Sequence, residues 1–220
     1  MRLPLNFLFG AVLIFCVVTA AIVSIFWTPH SHIEMNISMK FADPSKLHWL
    51  GTDQLGRDVV SQLMVAAQNS VQVALIAVFI GGAIGTFLGL IASAIGGLVE
   101  DLIMRLADLG FAFPALLFAI MLAAALGPSL NNAIMAIAFI NIPIFIRVSR
   151  GSANQIWQRE YVYAAKAAGL TKFRISLDHI LPNIMAPIIV QATIEFAVAI
   201  LAEAALSYLG LGAQPPQPSW

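Results

Sequence analysis

Glu195 and Glu203 stand eight positions apart in an otherwise apolar stretch. On a helix that separation is a little over two turns, so the two carboxylates share a face to within about 80°. A carboxylate inside a membrane-spanning helix costs about 2.5–3.5 kcal/mol to insert, so each should face a cavity or a partner rather than lipid. They would either line a translocation path, with Glu203 meeting the positive end of a solute at its mouth, or sit paired or protonated at a helix interface. The interface reading is favoured for Glu195, nearer mid-membrane. Asn141, two residues before Pro143 in another apolar run, is a further polar group at that depth and joins the path candidates. His30 and His32 offer two metal ligands with no third nearby, so a solvated loop is the simpler reading and no metal is assigned. The sequence has no Gly-x-x-x-x-Gly-Lys-Ser/Thr, no His-Glu-x-x-His and no Gly-x-Ser-x-Gly, so no catalytic residue is named.

These groups belong to a chain of 220 residues that is 60% apolar and 10% charged. Soluble domains are about a quarter charged, so the composition is that of a membrane protein. A net charge of zero gives no reason to expect nucleic acid as a partner. Cys16 is the single cysteine, which excludes an intramolecular disulfide; its apolar surroundings suggest packing or lipid contact.

The apolar run 3–27 is too long for the apolar core of a cleavable signal, about 7–15 residues, and is read as a first span. Residues 28–68 are polar and should lie outside the membrane. A second span covers 71–98. In it Ala77, Gly81, Gly85, Gly89, Ser93 and Gly97 recur every fourth position, the small-residue ridge by which membrane helices approach closely. After a polar break at Glu100 and Asp101, a third span covers 102–126, with Arg105 and Asp108 spaced to pair on one face and Pro114 expected to kink it. A turn at 127–132 leads to a fourth span, 133–148, and a fifth covers 183–209.

Between the last two lies the polar stretch 159–182. Counted from Arg147, it carries Arg147, Arg150, Arg159, Lys166, Lys172 and Arg174, six of the eleven basic residues. Good helix formers occupy 160–168, Gly169 offers a left-handed stop, and Thr171 should cap a second short helix running to Leu181. Pro182 should end that helix and open the next. The result is a low-relief, alanine-rich surface suited to a protein partner, although a loop that merely covers the bundle has the same local features.

The stretch Tyr163-Ala164-Ala165, Gly169, Ile180-Leu181-Pro182 resembles the coupling ("EAA") loop of ATP-binding cassette importer permeases, with Tyr163 where the family often has Glu. Gly51-Thr52-Asp53-Gln54-Leu55-Gly56-Arg57-Asp58 resembles the "GTDxLGRD" signature of the dipeptide/oligopeptide/nickel subfamily. Ala66-Ala67-Gln68-Asn69-Ser70 follows it without the family's basic residue, and Leu206–Gly212 matches the "LSxLGLG" tail. The resemblance covers roughly residues 45–220.

It implies an all-α membrane protein, a polytopic helical bundle of an ABC importer type I permease, with five spans here and a sixth expected beyond Trp220. Three parts follow: 1–27, a first transmembrane helix; 28–70, an external segment; and 71–220, the core with a cytoplasmic coupling loop at 151–182. Glu160, Tyr163, Ala164, Ala165, Lys166, Ala168, Gly169, Ile180, Leu181 and Pro182 would engage the ATPase. Gly51, Thr52, Asp53, Gly56, Arg57 and Asp58 would form a rigid external connector. The implied partners are a homologous second permease subunit, two cytoplasmic ATPase subunits holding ATP and magnesium, an extracytoplasmic solute-binding protein and membrane lipid. No cofactor is expected in this chain. Peptides are the first choice of solute and nickel the second. The rivals are an ion-gradient-driven transporter using Glu195 and Glu203, and a non-transporting assembly subunit.

Odd spans place Lys40, Lys46 and Arg57 on one side, and Arg2, Arg105 and the six residues named above on the other. Positive residues concentrate on cytoplasmic faces. The expected location is therefore the bacterial inner membrane, with the N-terminus and the 159–182 stretch in the cytoplasm.

Overall fold

A computed structural model describes residues 5–220. Arg2 and the first two positions of the expected 3–27 span lie outside the described residues. Helix α1 runs Leu5–Phe26, α2 Val59–Ile95, α3 Gly97–Phe111, α4 Ala115–Leu126 and α5 Leu130–Trp157. Two short helices follow, α6 Glu160–Ala167 and α7 Lys172–Ile175. A widened turn, Ser176–Ile180, then leads into α8, Leu181–Tyr208. Among the described residues four helices are long and apolar enough to cross a membrane, or five spans if α3 and α4 form one bent span, so the chain is a multi-pass membrane protein.

The centre of the bundle is the α2–α5 pair, and its closeness follows from glycine. A Cβ built on Gly81 would stand 2.5 Å from the Ala138 carbonyl oxygen, and one on Gly85 would stand 2.5 Å from that of Ile142. One on Gly89 would stand 2.7 Å from the Ile146 carbonyl. Ala77 is fully buried at the head of the same ridge, and Ser93 accepts a hydrogen bond from Trp157 Nε1 at 3.3 Å. Without a hydrophobic force between helices in lipid, this interdigitation is what holds them. The ridge ends at Ser93. Gly97 lies beyond the end of α2, has open space around it, and opens α3 instead.

Several expected boundaries move. Helix α2 starts at Val59 rather than at 71, because Asp58 caps it by accepting from Ser61 N at 2.8 Å. Its 37 residues rise about 55 Å, well over the roughly 30 Å of hydrocarbon, so its polar first turns stand clear of the apolar zone. Glu100 and Asp101 do not break a helix but lie inside α3. Glu100 is neutralised by Arg150 at 2.5 Å, and Asp108 pairs with Arg147 on α5 at 2.6 Å rather than with Arg105. The third span is not one helix. It turns through 89° between α3 and α4, where Pro114 lacks the amide to continue the first helix and serves as the cap of the second. Ser129 caps α5, accepting from Asn132 N at 3.1 Å, and α5 continues to Trp157, nine positions past the expected end at 148.

Pro182 stands in the first turn of α8 as expected, but the helix before it does not stop there. Leu181 N bonds to Ser176 O, five residues back, in the widened turn. That extra residue makes room for a proline ring and needs no amide from position 182, so the chain stays helical from Lys172 to Tyr208.

Candidate functional site

The two ends of the bundle differ in chemistry. At one end the connector between α1 and α2 is folded on Asp53. Asp53 Oδ1 accepts from Leu55 N at 2.8 Å and Arg57 N at 2.9 Å, and Oδ2 accepts from Arg57 Nε at 2.8 Å and Gln62 Nε2 at 3.0 Å. Burial alone would push this carboxyl up. The Arg57 amide, the Gln62 amide, the Leu55 amide and the Arg57 side chain overcome it and hold the group down at about 2. Burial likewise opposes ionisation of Asp58, yet His48 and Ser61 keep its carboxyl below the ordinary value. Thr52 bonds across to Ala42 N at 2.9 Å and to the Met39 carbonyl. Gly51 and Gly56 both have positive φ, and at Gly56 a Cβ would also overlap the Asn36 carbonyl, so only glycine fits there. All six residues of the Gly-Thr-Asp signature thus build one knot at the head of α2.

The C-terminal tail packs at this same end. Trp220 Nε1 donates to Leu63 O at 3.1 Å, and Asn69 Nδ2 to Pro218 O at 2.8 Å. Glu203 joins tail to bundle. It is fully buried and accepts from Ser70 Oγ at 2.6 Å, Ser207 Oγ at 2.7 Å and Ser219 Oγ at 2.8 Å. Ser70 and Ser219 escaped sequence reasoning, because 133 residues separate Ser70 from the carboxylate it serves and no local pattern connects them.

Further along the bundle, α4, α5 and α8 line an open-sided pocket of about 260 Å³, bordered by Leu116, Ile140, Asn141, Glu195 and Leu201, among others. Glu195 is 6% exposed, and its Oε1 accepts from Gln191 Nε2 at 2.7 Å. Asn141 Nδ2 is buried without a hydrogen-bond partner among the described residues. Of the three candidates, then, Glu195 and Asn141 border the cavity, and Glu203 lies apart from it. An apolar pocket with a carboxylate and an unspent amide donor can hold a small solute through both its polar ends.

At the opposite end, α6 and α7 form an elbow. Ala168 N bonds to Ala164 O, and Leu170 N to Ala165 O at 3.2 Å, while Gly169 takes φ +81° with open space where a Cβ would go. With Gly169 N bonded to Lys166 O at 3.0 Å as well, this is a Schellman stop, a left-handed glycine with its 6→1 and 5→2 bonds. Thr171 caps α7, accepting from Arg174 N at 3.3 Å. Val162, Ala165, Ile175 and Ile180 are buried and plug the elbow into the bundle. Glu160, Tyr163, Ala164, Lys166 and Ala168 face outward. Ala165 therefore does not belong to the exposed alanine face expected of it; it is an anchor, as is Ile180. Pro182 is exposed and Leu181 half-buried. Lys166 Nζ lies over the rings of Trp157 and Tyr163 at 4.9 and 5.1 Å, so the tyrosine orders a neighbouring cation at this position.

Comparison with known proteins gives a consistent result. The family described as "Binding-protein-dependent transport system inner membrane component" matches residues 83–220. A dipeptide transport system permease protein of Alkalihalophilus pseudofirmus is 46% identical over 211 residues, covering 96% of this chain and 69% of that protein. A probable D,D-dipeptide transport system permease protein of Escherichia coli is 40% identical over 211 residues, with 96% and 71% covered. A glutathione transport system permease protein of E. coli is 45% identical over 177 residues, which span 80% of this chain and 58% of that one. Among solved structures, the inward-facing MetNI methionine ABC transporter superposes with a TM-score of 0.61 at 17% identity, covering 69% of this chain and 76% of that chain. At that identity the likeness speaks to the fold.

Proposed function

The chain belongs to the family of binding-protein-dependent transport system inner membrane components and is a permease subunit of an ABC importer, and from this we propose that it forms half of a path for di- or oligopeptides. Relatives named for a dipeptide, a D,D-dipeptide and glutathione share a cargo chemistry: short amide-linked molecules with charged ends. The observation that carries the reading is the cavity of α4, α5 and α8, where Glu195 and Asn141 offer an acceptor and a donor inside apolar walls. Glu195 would take the ammonium end of a peptide and Asn141 an amide carbonyl, leaving the apolar lining to accept varied side chains.

The elbow at α6–α7 would be gripped by a cytoplasmic ATPase subunit. Its buried anchors make it move with the bundle, and its outward face of Glu160, Tyr163, Ala164, Lys166 and Ala168 is open to a partner. ATP and magnesium would stay on two such partners, whose closure rocks this chain against a homologous permease. An external solute-binding protein would deliver cargo to the end bearing the Asp53 knot and the tail. The charge bias supports a cytoplasmic N-terminus and elbow.

The test is uptake of a labelled dipeptide into vesicles that contain the assembled complex and enclosed ATP. Uptake should require ATP, resist an uncoupler and weaken with Glu195→Gln. Uptake that collapses with the uncoupler while ATP is maintained, or complete indifference to dipeptide, would overturn the proposal.

A further inference from the structure

Three side chains, Asp58 of the signature knot and two histidines, meet between α1 and α2. His30, His48 and Asp58 each present one ligating atom, and these atoms lie within 4.8 Å of one another. Asp58 is 3% exposed and His48 8%. Asp58 Oδ2 is committed to the Ser61 amide and hydroxyl at 2.8 and 2.7 Å, which orients the carboxylate and leaves Oδ1 turned toward both imidazoles. His48 Nδ1 lies 3.0 Å from that oxygen. His30 Nδ1 lies 3.7 Å from it, too far for a hydrogen bond. That nitrogen is sealed from solvent and has no partner among the described residues, a costly state for a buried polar atom.

The surroundings are built to hold the group in place. The Ser61 hydroxyl that donates to Asp58 also accepts the His30 backbone N–H at 3.0 Å, so one side chain positions the first and last members of the cluster. The His30 and His48 rings lie 4.6 Å apart, tilted by 37°. Two imidazole nitrogens and a carboxylate oxygen facing one point, with an outer group fixing the carboxylate, are the donor set of a divalent transition metal. Tetrahedral bonds of about 2.0–2.2 Å place such ligand atoms roughly 3.3–3.6 Å apart. The observed separations, from 3.0 Å to at most 4.8 Å, are closed if His30 swings inward; its side chain is 32% exposed, so packing does not hold it on every side. His32, the neighbour with the more suggestive spacing, takes no part.

We propose that His30, His48 and Asp58 bind one divalent metal ion of the zinc class, which clamps the connector onto the first turn of α2. The fourth coordination position would be taken by water on the open side of His30. The ion is structural: it joins residues 30 and 58 across an otherwise irregular chain, and is independent of the solute carried.

The experiment is metal titration of the full chain, purified without a histidine tag and stripped with a chelator, using Zn²⁺ and then Co²⁺ as a spectroscopic probe. The wild type should take up one equivalent per chain and give the intense visible bands of four-coordinate Co²⁺. His30→Gln keeps the His48–Asp58 bond and should fold, yet lose affinity by ~10-fold or more. His32→Gln should bind as the wild type does, and His30→Cys should restore binding with a sulfur-to-cobalt charge-transfer band. Absence of stoichiometric uptake, or equal affinity in wild type and His30→Gln, would overturn the proposal and leave His48–Asp58 as a simple hydrogen-bonded lock.

Discussion

Glu203 and Glu195 illustrate how two identical side chains on one helix acquire different tasks. Three hydroxyls satisfy Glu203, whereas Glu195 holds one amide and borders open space. Glu203→Gln turns an all-acceptor group into a partial donor, so at least one serine loses its partner. It should cost about 1.5–3 kcal/mol, seen as a lower melting temperature of the purified subunit, while solute affinity is unchanged; a shifted affinity at unchanged stability would refute that assignment. Asp53 yields a pH prediction. Its folded value of about 2 lies below the ordinary 3.8, so its contribution is complete above the unfolded value and drains away as pH falls from about 4 toward 2. The protection factors of the Leu55 and Arg57 amides, both bonded to Asp53, should fall over that interval once exchange is corrected for its intrinsic pH dependence, and Asp53→Asn should abolish that fall.

Two elements carry most of what the fold asks of single positions. In α2 the ridge of Gly81, Gly85 and Gly89 sets the distance to α5. Gly85→Leu drives a branched side chain into the Ile142 carbonyl and Phe145, an over-packing cost at or above about 3 kcal/mol. Yield of folded protein in the membrane should fall sharply, and normal yield would mean the ridge does not pack as described. The elbow behaves differently, because space around Gly169 is open and only its dihedral is demanding. Gly169→Val should cost roughly 1–2 kcal/mol, leave the protein inserted, and abolish solute uptake by re-aiming α6 against α7. Intact uptake would show that the elbow angle is unimportant.

At the scale of the whole molecule, the connector and the tail gather at one end of α2 and the elbow sits at the other, beyond Trp157 and Ser93. A force applied to the elbow would reach the pocket through α7, the widened turn and α8, which together are helical without interruption from Lys172 past Glu195. In a Cys16→Ser background, a cysteine at exposed Ala168 should crosslink to an ATP-hydrolysing subunit, while one at buried Ala165 should not. Equal crosslinking at both positions, or at neither, would contradict the docking geometry.

Much of this was legible from local chemistry. Apolar run length marked the spans because a bilayer demands about 20 apolar residues per crossing; fourfold spacing of small residues marked the face of α2; Gly169 and Thr171 marked the elbow by their backbone and capping preferences. These signals act over one or two helical turns and need no partner from elsewhere. What required the tertiary structure were relations between distant residues: Ser70 meeting Glu203, Arg150 meeting Glu100, His30 meeting His48 and Asp58, and the inward turn of Ala165. The fate of the prolines was of the same kind. Pro114 divides two helices at 89° and Pro182 interrupts none, because whether a missing amide breaks a helix depends on what the surrounding turns and neighbours supply in its place.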